Sequence, residues 1–190
     1  SGKKLGLPQE RVYTSVEELF KKEQTLSAQN CMDVVAITTP NHLHFEQAKM
    51  ALENGFHVIC DKPLTVTLDQ AITLKEKVED TGLVFAVTYT YTGYPMVKEA
   101  QHLIKNEAIG KLRKIVVEYP QGWLSTPMEK NNKQAEWRTD PARSGKAGSM
   151  ADIGTHAENL IAYTTGLKIK ELCADLSSVV NGRQLDDDGN

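Results

Sequence analysis

The stretch VVAITTPNHLHFEQAKMALENGFHVICDKPLT, residues 34–65, decides the fold. It begins inside DVVAIT (33–38), a short apolar run rich in β-branched residues, the pattern of a strand covered on both faces. Asn41 then stands as the cap of a helix whose Phe45, Ala48 and Leu52 recur at helical spacing until Gly55 stops it. HVIC (57–60) is the next strand. Strand, helix and strand joined by links this short form a unit with parallel strands and a right-handed crossover. Each strand runs into a proline turn, Thr39-Pro40-Asn41 and Asp61-Lys62-Pro63. Proline holds the residue before it extended, so each turn presents polar groups at the end of its strand.

Outward from this unit the same texture continues. Ser15-Val16-Glu17-Glu18 is a capping box opening a helix with Val16, Leu19 and Phe20 on its apolar side. Thr67-Leu68-Asp69-Gln70 is a second, with Ala71, Leu74 and Val78 at helical period and Gly82 at the stop. LVFAVTY (83–89) is a third strand, so the first part of the chain is expected to be a parallel α/β sheet. Beyond Gly93-Tyr94-Pro95 the pattern changes. A helix from Pro95 to about Asn106 leads into KLRKIVVEY (111–119), where Leu112, Ile115, Val117 and Tyr119 read as a half-exposed strand. A long polar loop is expected from Pro120 to Gly148, with Trp123 and Trp137 in it. MADIGTHAENLIAYTTG (150–166) is helical, and IKELCADLSSVV (169–180) alternates as a strand of an antiparallel sheet does. The expected domains are 1–91 and 92–190. Both read as cut, since no strand precedes the first helix and LDDDGN (185–190) is a turn expected to lead into another strand.

Bulk composition removes several function classes. The 22 basic and 25 acidic residues give a net charge of −3 without a basic cluster, so no nucleic-acid or anionic-membrane surface is indicated. The longest apolar run, Leu83 to Val87, is far too short to span a bilayer, and no signal-peptide pattern opens the chain. Three cysteines without CxxC spacing read as reduced, mostly buried residues of a cytoplasmic protein.

Two constellations carry chemistry. One is Asp61-Lys62-Pro63, because ligands of parallel sheets bind beyond the carboxyl ends of the strands; a solvated turn is the competing explanation. The other is Asp152-Ile153-Gly154-Thr155-His156, whose Asp and His share a helix face. Taken alone, that pair is better explained as an N-cap and a surface histidine, although a histidine oriented by a carboxylate is the commonest general base.

Together these motifs resemble the glucose–fructose oxidoreductase, inositol dehydrogenase and rhizopine-catabolism (Gfo/Idh/MocA) family of NAD(P)-dependent oxidoreductases. The resemblance rests on Thr39-Pro40-Asn41 with His44, Asp61-Lys62-Pro63, Trp137-Arg138, Gly145 with Gly148, and Asp152 to His156, in that order. It covers almost the whole chain, and the chain corresponds to the middle of a family member. The implied fold is the C-terminal part of a Rossmann-type parallel sheet followed by part of an α+β substrate domain with a mainly antiparallel sheet. The implied function is oxidation of a secondary alcohol of a sugar or polyol with NAD or NADP. Lys62, Asp152 and His156 would be catalytic. Thr39, Pro40, Asn41, His44, Asp61, Lys62, Thr90, Trp137 and Arg138 would line the dinucleotide. Lys62, Asp152 and His156 would meet the substrate, with no metal involved; Trp123 in EYPQGWL (118–124) reads from the residues alone equally as a face for stacking a substrate sugar or as a core side chain. A homo-oligomer through the second-domain sheet is expected, without nucleic acid or membrane.

The chain departs from the family pattern in three ways. The GxGxxG phosphate loop and the residue selecting NAD or NADP would lie before Ser1, Thr90 stands where Asn is common, and the remaining substrate-domain strands would follow Asn190. Weak or absent cofactor binding by this segment is therefore expected. A non-catalytic piece acting only in assembly or binding is the alternative from another class. A metal hydrolase using His42, His44, Asp152 and His156 is the weakest reading, because no further ligand cluster accompanies them.

Overall fold

The computed structural model describes residues 2–188; the last two residues of the LDDDGN turn lie outside them. Helix α1 (Val16–Glu23) precedes β1 (Val34–Ile37), α2 (His44–Glu53), β2 (His57–Asp61), α3 (Leu68–Thr81) and β3 (Phe85–Thr88). Next come α4 (Pro95–Lys105), the short α5 (Lys133–Arg138) and α6 (Pro141–Ser144), a π-helical turn (Met150–Gly154) and α7 (Thr155–Thr165).

The three strands pair in parallel in the order β1-β2-β3, with Val35 opposite Val58 and Ile59 opposite Ala86. This is the α/β Rossmann-like arrangement that strand–helix alternation requires. Its core is one cluster, with Phe20, Ala48, Ala51, Leu52, Phe56, Val58, Cys60 and Leu74 all buried. Phe20 and Phe56 stack at 5.5 Å, fixing α1 against the start of β2. The helix caps follow the sequence closely. Ser15 accepts from the Glu18 N–H, Thr67 accepts from the Gln70 N–H, and Gly82 and Gly166 close their helices in the left-handed region.

Five expectations are corrected. β1 is not covered on both faces: Val34 and Ala36 are exposed, as is Ile59 beside them, because the described helices pack on one side of the sheet. Asn41 does not cap α2; a short 3₁₀ turn (Asn41–Leu43) intervenes, and its amide reaches Ser144 instead. The 120–148 loop contains α5 and α6, each started by a side-chain cap, Asn132 and Asp140, in a segment whose polarity hid the helical signal. Cys173 is exposed and Cys31 half-buried, so only Cys60 is a core thiol, and burial pushes it up to about 12. Finally, 111–119 and 169–180 form no strand among the described residues. An alternating sequence needs a partner to satisfy its backbone, and Val116, Leu172 and Val179 stand in solvent instead.

Candidate functional site

The parallel register puts the carboxyl ends of β1 and β2 side by side, so the two proline turns become neighbours. His44 ties them together from below. Fully buried, its Nδ1 lies 2.8 Å from the Pro63 carbonyl and its Nε2 lies 2.7 Å from the Thr39 carbonyl. The end of β3 joins through Thr88, whose hydroxyl donates to the Asp61 carboxylate at 2.7 Å. Asn41 donates its amide to the Ser144 carbonyl at 3.3 Å, and the His42 ring lies 3.3 Å from the Arg143 carbonyl, docking α6 onto the first turn.

Between these turns and the second half of the chain is a cavity of about 240 Å³. Thr39, Pro40, Asn41, Asp61 and Lys62 line it on one side, and Trp137, Arg138 and Asp152 on the other. The cis peptide bond between Lys62 and Pro63 lies at its edge. The Lys62 ammonium spans the two halves: it donates to the Asp152 carboxylate and to the Asp152 main-chain carbonyl, both at 2.5 Å. Both side chains are partly shielded, 18% and 29% exposed, so the pair orients its members more than it stabilises the fold.

His156 is the second residue of α7, one turn beyond Asp152, and is buried. Its Nδ1 has no hydrogen-bond partner among the described residues. Burial lowers its pKa first, and the Lys62 charge lowers it further against the opposing pull of Asp152, so the neutral imidazole is favoured. Arg138 packs its guanidinium over the Trp137 ring at 4.3 Å and over the Trp123 ring at 5.9 Å, and it donates to Gln134. Burial also lowers the Arg138 pKa, opposed by Asp152.

The structure thus brings Thr39, Pro40, Asn41, Asp61, Lys62, Trp137, Arg138 and Asp152 around one cavity, with His156 close enough to feel both Lys62 and Asp152. Four residues from the sequence stand off its lining, His156 among them. His44 acts from beneath as a strut, Thr90 is exposed at the start of the turn after β3, and Trp123 reaches the lining through Gln121, to which its Nε1 donates at 3.1 Å, and through Arg138. Among the described residues, no three His, Cys, Asp or Glu side chains gather as metal ligands would.

Sequence reasoning missed Gln121, Gln134, Ser144, Ser149 and Asp188, which also line the cavity. Nothing in ordinary polar loop residues signals such a role; only the folded loops place them. Asp188 is committed to its own segment. Burial pushes its carboxyl up, but the Val179 and Val180 N–H groups and Arg183 outweigh that and hold it below the usual range.

Gly148 shows how this wall is held. Its N–H donates to the Asp187 carbonyl at 2.9 Å, and the Met150 N–H donates to the Asp187 carboxylate at 2.8 Å, at the start of the turn that carries Asp152. A Cβ on Gly148 would lie 2.0 Å from that carbonyl oxygen. Gly148→Ala is therefore expected to displace residues 185–188, costing about 1–3 kcal/mol by forced overpacking. Denaturant unfolding of the two forms measures it, and equal midpoints would show the contact to be soft.

Residues 3–89 match the family described as "Oxidoreductase family, NAD-binding Rossmann fold", and residues 97–190 match the GFO/IDH/MocA C-terminal domain. The chain belongs to the GFO/IDH/MocA oxidoreductase family. It is similar to an uncharacterized oxidoreductase of Bacillus subtilis, with 35% identity over 96% of this chain and 46% of that protein. It is also similar to levoglucosan dehydrogenase of Pseudarthrobacter phenanthrenivorans, with 35% identity over 82% of this chain and 38% of that protein. Among solved structures, an inositol dehydrogenase homolog from Azotobacter vinelandii complexed with NAD⁺ superposes with a TM-score of 0.83 at 33% identity. That match covers 87% of this chain and 42% of that one. The chain thus spans less than half the length of these GFO/IDH/MocA relatives.

Proposed function

We propose that the protein carrying this chain is an NAD(P)-dependent dehydrogenase that oxidises a secondary alcohol of a sugar or polyol. One observation carries the reading. Lys62 and Asp152 line a strand-end cavity beside a buried His156 whose Nδ1 has no hydrogen-bond partner among the described residues. An unsatisfied buried nitrogen costs about 1–3 kcal/mol, and a substrate hydroxyl would supply the partner. The names of the levoglucosan and inositol relatives support the substrate class.

The residues fit the reacting end of a nicotinamide dinucleotide. The cavity is below the roughly 300–1,000 Å³ that takes a whole drug-sized ligand, so one end of such a molecule is what it can hold. Thr39, Pro40, Asn41 and Asp61 would flank it from the strand ends, Trp137 and Arg138 from the opposite wall. The nicotinamide, when bound, supplies the hydride acceptor. His156 would take the hydroxyl proton at a ring nitrogen, its neutral form maintained by burial and by Lys62. The Lys62 ammonium would face the negative charge growing on the substrate oxygen. Asp152 would hold that ammonium in place and favour the imidazolium once formed.

On this reading residues 1–91 belong to the dinucleotide-binding domain and 92–190 to the substrate domain, a division that the two family matches support. The alternating sequence of 111–119 and 169–180, although neither forms a strand among the described residues, supports an antiparallel sheet in the second domain of the full-length protein, and the exposed apolar side chains there support an oligomer formed through it. The test is the full-length protein with NAD⁺ or NADP⁺ and a panel of sugars and polyols, followed by absorbance of the reduced nicotinamide. Reduction dependent on both partners is expected. Cofactor binding without reduction by any polyol or sugar would overturn the assignment.

A further inference from the structure

We propose that Tyr91 is a positioning residue for His156, its ring closing one face of the imidazole and its hydroxyl anchored on Tyr119. The proposal rests on the reading of His156 as the base. Tyr91 sits in the 3₁₀ turn (Thr90–Gly93) directly after β3, and this turn packs against α7. The Tyr91 and His156 rings lie 4.5 Å apart, tilted by 40°. Tyr89, the residue after β3, meets His156 edge-on at 5.8 Å. Two aromatic side chains that follow β3, the neighbour of the strand leading to Lys62, thus wall the imidazole.

Tyr91 is itself held from the other side. Its hydroxyl lies 3.0 Å from the Tyr119 hydroxyl, and the two rings stack at 6.1 Å with 22° between planes. The ring cannot swing off His156 without losing that bond. The same bond, with burial adding to it, raises the Tyr91 phenol to about 12, so Tyr91 offers His156 an uncharged ring across the working pH range. The charged groups acting on the imidazole are Lys62 and Asp152; Glu158, on His156's own helix, acts on Tyr89. Burial is the leading reason that His156 resists protonation, and Tyr91 is a principal part of what buries its ring face.

The test needs no cofactor and no turnover. In the unsubstituted chain, the His156 ring protons should show nuclear Overhauser contacts to the Tyr91 ring. Titrated by NMR, Tyr91→Phe should leave the His156 midpoint where it was, because the ring remains. Tyr91→Ala should move the midpoint up towards the ordinary histidine value. Tyr119→Phe should bring Tyr91's ionisation down towards that of a free tyrosine. Absent ring contacts in the unsubstituted chain would overturn the proposal even where Tyr91→Ala fails to fold. An unmoved midpoint in folded Tyr91→Ala, or an unmoved Tyr91 ionisation in Tyr119→Phe, would overturn the covering and the anchoring respectively. Each of these failures leaves the dehydrogenase reading standing, since that is decided by turnover.

Discussion

Replacing Lys62 by Met in the full-length protein is expected to lower turnover about 10²- to 10³-fold, with little change in the cofactor dissociation constant. Met keeps most of the side chain's length and removes the ammonium. That ammonium sits on a proline-anchored turn at the end of β2, pinned by two oxygens of Asp152, so it is oriented before any substrate arrives. A preorganised charge stabilises a developing alkoxide without reorganising, and it does little for a neutral ground-state alcohol. The loss should therefore appear in turnover more than in KM. A second effect has the opposite electrostatic origin. Lys62's charge helps to hold His156's pKa down, so in the Met variant the acid limb of the pH–rate profile should shift to higher pH. Steady-state kinetics across pH measures both, and near-normal turnover would return Lys62 to the role of a solvated turn residue.

His156→Ala is expected to cost about 10²–10⁴ in turnover at neutral pH, the usual contribution of a positioned general base. The sign of the pH dependence follows from its environment. With its pKa held below the ordinary histidine value, His156 is neutral and able to accept a proton at neutral pH. In the unsubstituted protein, activity should fall only as acid protonates it, below the usual histidine range. In the Ala variant that acid limb should disappear, and activity should rise with pH as hydroxide replaces the missing base. His156→Ala also removes the face that Tyr91 covers, so retention of fold is checked by circular dichroism. A folded variant with normal turnover and an unchanged acid limb would mean that another group accepts the proton.

Much of this protein was determined by sequence alone. Short apolar runs alternating with capped helical periods require a parallel sheet, because each signal is local: a cap, a glycine stop, a period of two or 3.6. The two proline turns were legible for the same reason, since proline dictates the backbone of its own neighbours. Asp152 and His156 were visible as a pair four residues apart. What the tertiary structure decided involves contacts between residues far apart in sequence. Lys62 meets Asp152 across 90 residues, and Asn41 meets Ser144 across 103, so no local pattern records either. His44 carries a ligand-like spacing with His42, and only its burial between two carbonyls makes it a strut. The tyrosines over His156, Tyr89 and Tyr91, follow β3, and the Tyr119 that holds Tyr91 comes from 111–119, so no local pattern records that they meet. Sequence period fixes which way a side chain faces on its own element. Which groups then share a low-dielectric space, and so shift one another's protonation, depends on how those elements pack.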